Sequence, residues 1–287
     1  MAPVSSVVAA WDLGRRLREK RELLGLLGKE VQAKTKVATS YLSAVERGKQ
    51  QLSEEKLTEV AKLLEFNKAG IADLIRLRAQ ALDRGWWTKF SALFPEDVLR
   101  LFGFEYGAES IRTYSSNVVY GMLQTERYAR ATIEAGAPNI RLAEVDRRVE
   151  ARMVRRIRLD APDPVQLHVV MSEAALRQQI GGPEVLREQL RHLAKLITKY
   201  PNTVDIRIVP FTATGHNALG SSNFHILAFP GATLPTLVWQ ETVTSTQLID
   251  DHQMVREYAL AHATTVNSAL DQKATLAMIN RLAKELT

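Results

Sequence analysis

The first third of the chain repeats its apolar residues at helical spacing. Leu13, Leu17 and Leu24 form one stripe, and Arg15, Arg16, Arg18, Lys20 and Arg21 cover the other faces, which predicts a helix with a single buried side. Gly25 closes it, because a left-handed terminal residue needs no Cβ. Two shorter helices are predicted at 28–35 and 39–47, separated by a turn through Lys36 and Val37. In the second of these, Leu42 and Val45 face inward and Gly48 ends the helix. Ser53 then caps a helix to Leu64 with Leu57, Val60, Ala61 and Leu64 on one face, and a helix over 71–83 completes a bundle of five. A short helix, a turn and a second short helix with a polar outer face make sequence-specific DNA binding the leading expectation.

Arg84-Gly85 marks a boundary, which divides the chain into a DNA-binding domain over 1–84 and an α+β domain over 85–287. The Trp86-Trp87 pair that follows suits either a ligand platform or, more often, a hydrophobic seam. Leu142, Val145, Val149, Met153 and Ile157 predict a long amphipathic helix over 141–159. Six arginines between 147 and 158 lie on its other faces, with Glu144, Asp146 and Glu150 interleaved, a pattern that reads as a solvated face with internal pairs rather than a second phosphate surface. The alternating stretch 165–171 predicts a strand, followed by a short helix at 172–179 and a longer one that Gly181-Gly182-Pro183 opens and that runs to Lys199. Further strands are predicted at 203–209, 224–229 and 234–241, with loops short enough for a small antiparallel sheet. Helices at 249–263 and 268–285 close a chain that is mainly α with an α+β second domain.

Composition narrows the function classes. Residues 1–84 hold 16 Lys and Arg against 11 Asp and Glu, so five of the net six positive charges lie in the first third, where phosphate would be met. The chain has no cysteine, which removes disulfides and thiolate-zinc sites and agrees with a reducing cytoplasm. No apolar run approaches the roughly 20 residues that span a bilayer, and the apolar stretch Val4 to Trp11 lacks a basic start and a cleavage pattern, so a cytoplasmic protein without membrane contact is expected.

The helix-turn-helix spacing resembles the Xre-type (lambda-repressor-like) family, in which the second helix of the motif enters the major groove. The resemblance implies that Thr39, Ser40 and Ala44 read base edges, with Tyr41 and Ser43 beside them, while Lys49 and Gln51 meet phosphate in the following loop. Gly28 and Lys29 at the start of the preceding helix, and Arg47 at the end of the reading helix, complete the DNA-facing set. Arg21 and Glu46 match a family salt bridge, and Gly48 ends the helix. Breaking one partner of such a pair, when buried, costs on the order of 3–5 kcal/mol. The chain departs from the family at Leu27 and Gly28, where a hydroxyl cap and a Gln are usual, at Gln32 in place of a buried Ala, and at Lys36 in place of the turn Gly. Missing caps cost about 1 kcal/mol.

A second resemblance covers about two hundred residues. Trp86-Trp87, Phe104 to Ala108, Ile111 to Tyr114, Gly121 to Ala131, Glu173 to Arg177, Gln189 to Leu193 and Ile208 to Phe211 look like the domain of unknown function that follows such a motif in many actinobacterial regulators. Tyr120 stands where that family usually has Pro. The resemblance implies an antitoxin-like transcriptional regulator, often encoded beside a small partner protein.

Signatures of chemistry are sparse. The six histidines show no metal-ligand spacing, and no phosphate-binding or nucleophile-elbow motif occurs, so no enzyme, metal or cofactor is expected. His216 in a glycine-rich loop, and Glu241 at a strand end, join Trp86 and Trp87 as the candidate ligand or partner residues. The expected function is a homodimeric regulator of double-stranded DNA whose second domain senses a partner protein or small-molecule effector. Two rivals are an antitoxin-like protein-interaction module with degenerate DNA binding, and an enzyme in residues 86–287 that carries a targeting domain.

Overall fold

In the computed structural model the described residues are 2–136, 141–231, 234–242 and 245–286, and they form two compact units. One comprises residues 3–89 with 102–107, and the other residues 90–101 with 108 onward.

The first unit is built from α1 (Ser6–Leu23), α2 (Gly28–Thr35), α3 (Thr39–Glu46), α4 (Glu54–Leu63) and α5 (Lys68–Ala81). The first helix begins seven residues before Leu13, because Ala9, Ala10 and Trp11 extend its buried stripe toward the amino terminus. Leu13, Leu17, Val31, Leu42, Val45, Leu57 and Leu74 share one core. The residues preceding α4 and α5 cap them with their own side chains: Ser53 accepts from the Lys56 amide at 3.2 Å, and Asn67 from the Gly70 amide at 2.8 Å. A 3-10 turn over Trp86–Phe90 leads to α6 (Glu96–Gly107), whose second half contributes aromatic rings to this unit. Phe104 meets Trp11 edge-on with ring centres 5.9 Å apart, Phe102 stacks on Trp86 at 5.4 Å, and Tyr106 tilts against Trp87 at 5.7 Å.

The second unit is organised on a sheet. Its elements are β1 (Ser110–Ser115), α7 (Glu126–Gly136), α8 (Leu142–Val154), β2 (Gln166–Ser172), α9 (Ala174–Arg177), α10 (Pro183–Lys199), β3 (Val204–Val209), β4 (Phe224–Ala228), β5 (Leu237–Glu241), β6 (Thr246–Ile249), α11 (His252–Asn267) and α12 (Gln272–Glu285). Six strands align in the order β3-β2-β1-β4-β5-β6. The expected antiparallel sheet is therefore mixed. β1, β2 and β3 run parallel because the intervening helices return the chain to the same end of the sheet, whereas β4, β5 and β6 follow one another by short loops and pair antiparallel. β1 and β6, of six and four residues, are additions to the strands expected from the alternating pattern.

The arginine-rich helix also differs from expectation. Regular α-helix stops at Val154 and a 3-10 turn carries Arg155 to Arg158, two of whose guanidinium groups turn inward rather than to solvent. Arg158 donates to the carbonyls of Asp163 at 2.9 Å and Ala108 at 3.1 Å, and Arg155 lies over the Tyr120 ring. Backbone carbonyl oxygens are the acceptors that let Arg158 be buried. The side chain of Leu142, at the start of the anticipated stripe, lies outside the described residues.

α11 crosses one face of the sheet, where Tyr114, Phe224, Ile226, Val238 and Ile249 meet its Val255, Tyr258, Ala259 and Val266. α10 and α12 pack against each other and along β3. Asp251 and Asp271 cap α11 and α12, accepting from the amides of Met254 and Ala274 at 2.9 and 2.7 Å.

Two consequences are measurable. At Gly14 a Cβ would come within 2.2 Å of the Val45 carbonyl oxygen, in backbone that cannot move aside. Gly14→Ala is expected to lower stability by about 1–3 kcal/mol in urea unfolding. His225 is buried beside the Thr113 hydroxyl, with Nδ1 2.7 Å from Oγ1, and that hydroxyl donates to the Phe224 carbonyl at 3.0 Å. Burial, with the Arg155 charge added, pushes its pKa from 6.5 down to about 3, so the folded chain holds it neutral. Its contribution is complete above pH 6.5 and is lost as pH falls toward 3, because the unfolded chain takes up the proton first. This histidine alone should cost about 2 kcal/mol of stability between pH 7 and pH 5, and His225→Gln should flatten that part of the pH profile.

Candidate nucleic-acid interface

The geometry begins with Arg21 on α1. Its Nε and Nη2 donate to the two Glu46 carboxylate oxygens at 2.6 and 3.0 Å, and Nη1 donates to the Leu26 carbonyl at 2.9 Å. The side chains keep only 15% and 8% of their surface exposed, so this fork is nearly desolvated. The hydrogen bonds to Glu46 hold the Arg21 pKa above its ordinary value. Glu46 is the last residue of α3, so the pair fixes that helix to α1 at its carboxyl end.

The amino end of α3 is fixed by a residue that motif reading had marked only as a departure. Ala38 offers no capping side chain, and Gln32 of α2 takes over: its Oε1 accepts from the Thr39 amide at 3.1 Å and from the Thr39 hydroxyl at 2.8 Å. Gly28 completes the junction, since a Cβ there would lie 2.8 Å from the Thr39 methyl. A larger residue at position 28 would press on the Thr39 methyl. The seven-residue separation of an amide side chain from the first residue of the next helix was the signal available for this contact.

The turn between the helices is closed by Lys36 at φ 59°, left-handed backbone that usually falls to glycine. Its amide donates to the Gln32 carbonyl at 2.8 Å, which ends α2 despite a strain of about 1 kcal/mol. At the start of α2, the Glu30 carboxylate accepts from the Leu27 amide at 2.7 Å and so replaces the hydroxyl cap in part.

Thr39, Ser40 and Tyr41 are exposed along the first turn of α3, Ser43 and Ala44 are half-buried, and Leu42 and Val45 are buried behind them. Much of the outer face is already engaged. The Tyr41 hydroxyl donates to the Gln51 carbonyl at 2.7 Å and ties the following loop to the helix, and Arg47 donates to the Ser43 hydroxyl. Ser40 presents its hydroxyl directly to solvent. Lys29 is exposed on the first turn of α2, whose amide groups favour an anion, and Lys49 follows Arg47 beyond the end of α3. On α1, by contrast, Arg15 and Arg16 are neutralised by Asp12 at 2.8 and 2.9 Å, and Arg15 also pairs with Glu19. Lys29, Arg47 and Lys49 thus flank the amino end of α2 and the carboxyl end of α3.

The remaining candidates lie elsewhere. Trp87 is buried and Trp86 half-buried, both in the aromatic stack of the first unit. His216 tilts on Tyr114 with ring centres 5.5 Å apart, and burial lowers its pKa. Its loop is held to α11 by Ser268, which donates to the Gly215 carbonyl at 3.1 Å, and by the Ala218 amide, which donates to Thr265 at 3.2 Å. Glu241 is exposed at the end of β5, opposite Thr246. Among the described residues no group of three His, Asp or Glu side chains is placed to hold a metal ion, and no helix is long and apolar enough to cross a membrane.

The near-buried fork sets a test. Arg21→Met leaves the Glu46 carboxylate and the Leu26 carbonyl without their donor and should cost about 3 kcal/mol in urea unfolding. Adding Glu46→Leu should recover part of that loss. Independent, additive losses would show that the two side chains are not coupled.

The chain's similarity to known families agrees with this geometry. A helix-turn-helix model matches residues 17–69, which span the Arg21–Glu46 fork and α2 through the start of α5. The model of the domain of unknown function DUF5753 matches residues 98–281, well over half of the chain. No curated protein and no solved structure matches it. The chain belongs to the DUF5753 family and carries an Xre-type DNA-binding helix-turn-helix at its amino-terminal side.

Proposed function

We propose that this protein is a sequence-specific transcriptional regulator that binds double-stranded DNA as a homodimer in the cytoplasm. In this reading the DUF5753 unit joins the two copies and receives a small ligand or partner protein. The observation that carries the DNA-binding part is the first turn of α3: Thr39, Ser40 and Tyr41 stand exposed on a helix clamped at both ends, with Lys29, Arg47 and Lys49 around it. A groove reader must be rigid, outward-facing and flanked by cations, because misplacement of the helix loses several base contacts together.

Base recognition in this reading is economical. Ser40 contributes a free hydroxyl, and Thr39 is held in one rotamer by Gln32, whose amide nitrogen remains available. Hydroxyls pair with several bases, so discrimination per contact is modest and useful affinity requires two half-sites. Two copies set about 34 Å apart would read both half-sites of a near-palindromic operator. An effector that changes this separation would change affinity, as any ligand with unequal preference for two states must.

The test is a gel-shift titration with fragments of the protein's own promoter at several salt concentrations, paired with light scattering. The parent chain should bind as a dimer, with affinity falling as salt rises. Thr39→Ala combined with Ser40→Ala should remove about tenfold of the preference for the operator while leaving the weak, salt-sensitive binding in place. Undiminished preference would reject α3 as the reading helix, a monomer with full affinity would reject the dimer, and no DNA binding at low salt would favour a protein-docking role for the same face.

A further inference from the structure

The parallel half of the sheet carries a polar row on the face that α11 crosses. The register aligns Arg112 of β1 with His168 of β2 and Asp205 of β3. The next row on that face is Tyr114, Val170 and Arg207. Toward β4 and β5, α11 covers the face with apolar side chains, but over the polar row the covering leaves a cavity of about 290 Å³. His262, Ala263 and Val266 of α11 form its other wall.

The charges in this cavity do not cancel. Arg207 donates from Nε to Asp205 at 2.9 Å, and His168 lies 3.9 Å from the same carboxylate oxygen, so Asp205 is satisfied. Arg112 is half-buried and makes no hydrogen bond or ion pair with the described residues, and burial alone lowers its pKa. His262 is 3% exposed, and its Nε2 is buried without a hydrogen-bond partner. Burial and the neighbouring Arg112 charge lower its pKa to about 4, so the ring is neutral at physiological pH. The carbonyls of Thr113 and His168 oppose this weakly without taking a hydrogen bond from Nε2. A half-buried guanidinium without an ionic partner and a buried imidazole nitrogen without a hydrogen bond, both lining one cavity, are costly unless something binds between them.

We propose that this cavity between β1–β3 and α11 is the binding site of a small monocarboxylate with a compact apolar body. The carboxylate sits on Arg112 and accepts from the His262 ring N–H, while the apolar part lies against Val170, Ala263 and Val266. One uncompensated cation calls for one negative charge, and Asp205 beside it repels a dianion such as phosphate. The site gives the ligand of the regulator reading a location. It is tested without DNA, so its failure and the failure of DNA binding are separate results.

The experiment is calorimetric titration of the full-length chain with benzoate and hexanoate, with benzyl alcohol, hexanol and inorganic phosphate as controls. At least one carboxylate should bind at a single site with millimolar or better affinity, about what molecules of roughly nine heavy atoms achieve. Arg112→Gln should weaken it at least about tenfold, Arg112→Lys should restore most of the affinity, and His262→Asn should weaken it by a smaller factor. The fold of each variant is checked by circular dichroism. Absence of binding by both carboxylates up to about 10 mM, equal binding by Arg112→Gln, or tighter binding of either alcohol or of phosphate would overturn the assignment.

Discussion

The helix-turn-helix of this protein depends on a forked ion pair. α3 is only eight residues long, too short to be stable by propensity, and its orientation has to be imposed from outside. Arg21 imposes it by gripping both Glu46 oxygens and the Leu26 carbonyl at once, which a lysine could not do. Gly14 lets α1 come close enough for this grip, since the backbone of Val45 and Glu46 occupies the space a larger residue would need. Gln32 then secures the opposite end of α3 through Thr39. With both ends held, the first turn can present small polar groups without losing their positions.

This arrangement explains how a motif with several departures from its family keeps its geometry. The missing cap at Ala38 is supplied by Gln32, the missing cap at Leu27 by Glu30, and the missing turn glycine by a strained Lys36. At the two helix starts the hydrogen bond moves to another side chain rather than being lost, and at Lys36 the backbone takes the strain. Compensation has a consequence for recognition, because Tyr41, Ser43 and Arg47 spend polar groups on the protein itself.

The second unit follows a different logic. Its sheet is apolar where α11 packs against the antiparallel strands, and polar where β1, β2 and β3 lie side by side. A parallel arrangement sets residues of equal register in a row, so single polar residues from three separate strands can assemble as Arg112, His168 and Asp205. Arg155 and Arg158 are buried differently, Arg158 against carbonyl oxygens and Arg155 over an aromatic ring.

Local pattern was sufficient for much of this protein. The stripes of α1 to α5, the caps at Ser53, Gly25 and Gly48, and most helices and strands of the second unit follow from periodicity and turn chemistry, which act between near neighbours, whereas the Arg21–Glu46 pair and the outward place of Thr39 and Ser40 were legible only through resemblance to the helix-turn-helix family. The parallel pairing of β1, β2 and β3 did not, because strand direction is set by where helical crossovers return the chain. Nor did the inward turn of Arg155 and Arg158, since the Tyr120 ring and the Ala108 carbonyl that receive them lie far away in the chain. Gln32 looked like a defect until Thr39 was placed beside it. Arg112 and His262, 150 residues apart in the chain, become neighbours only when α11 lies across β1, for desolvation is a property of packed surroundings that no single segment carries.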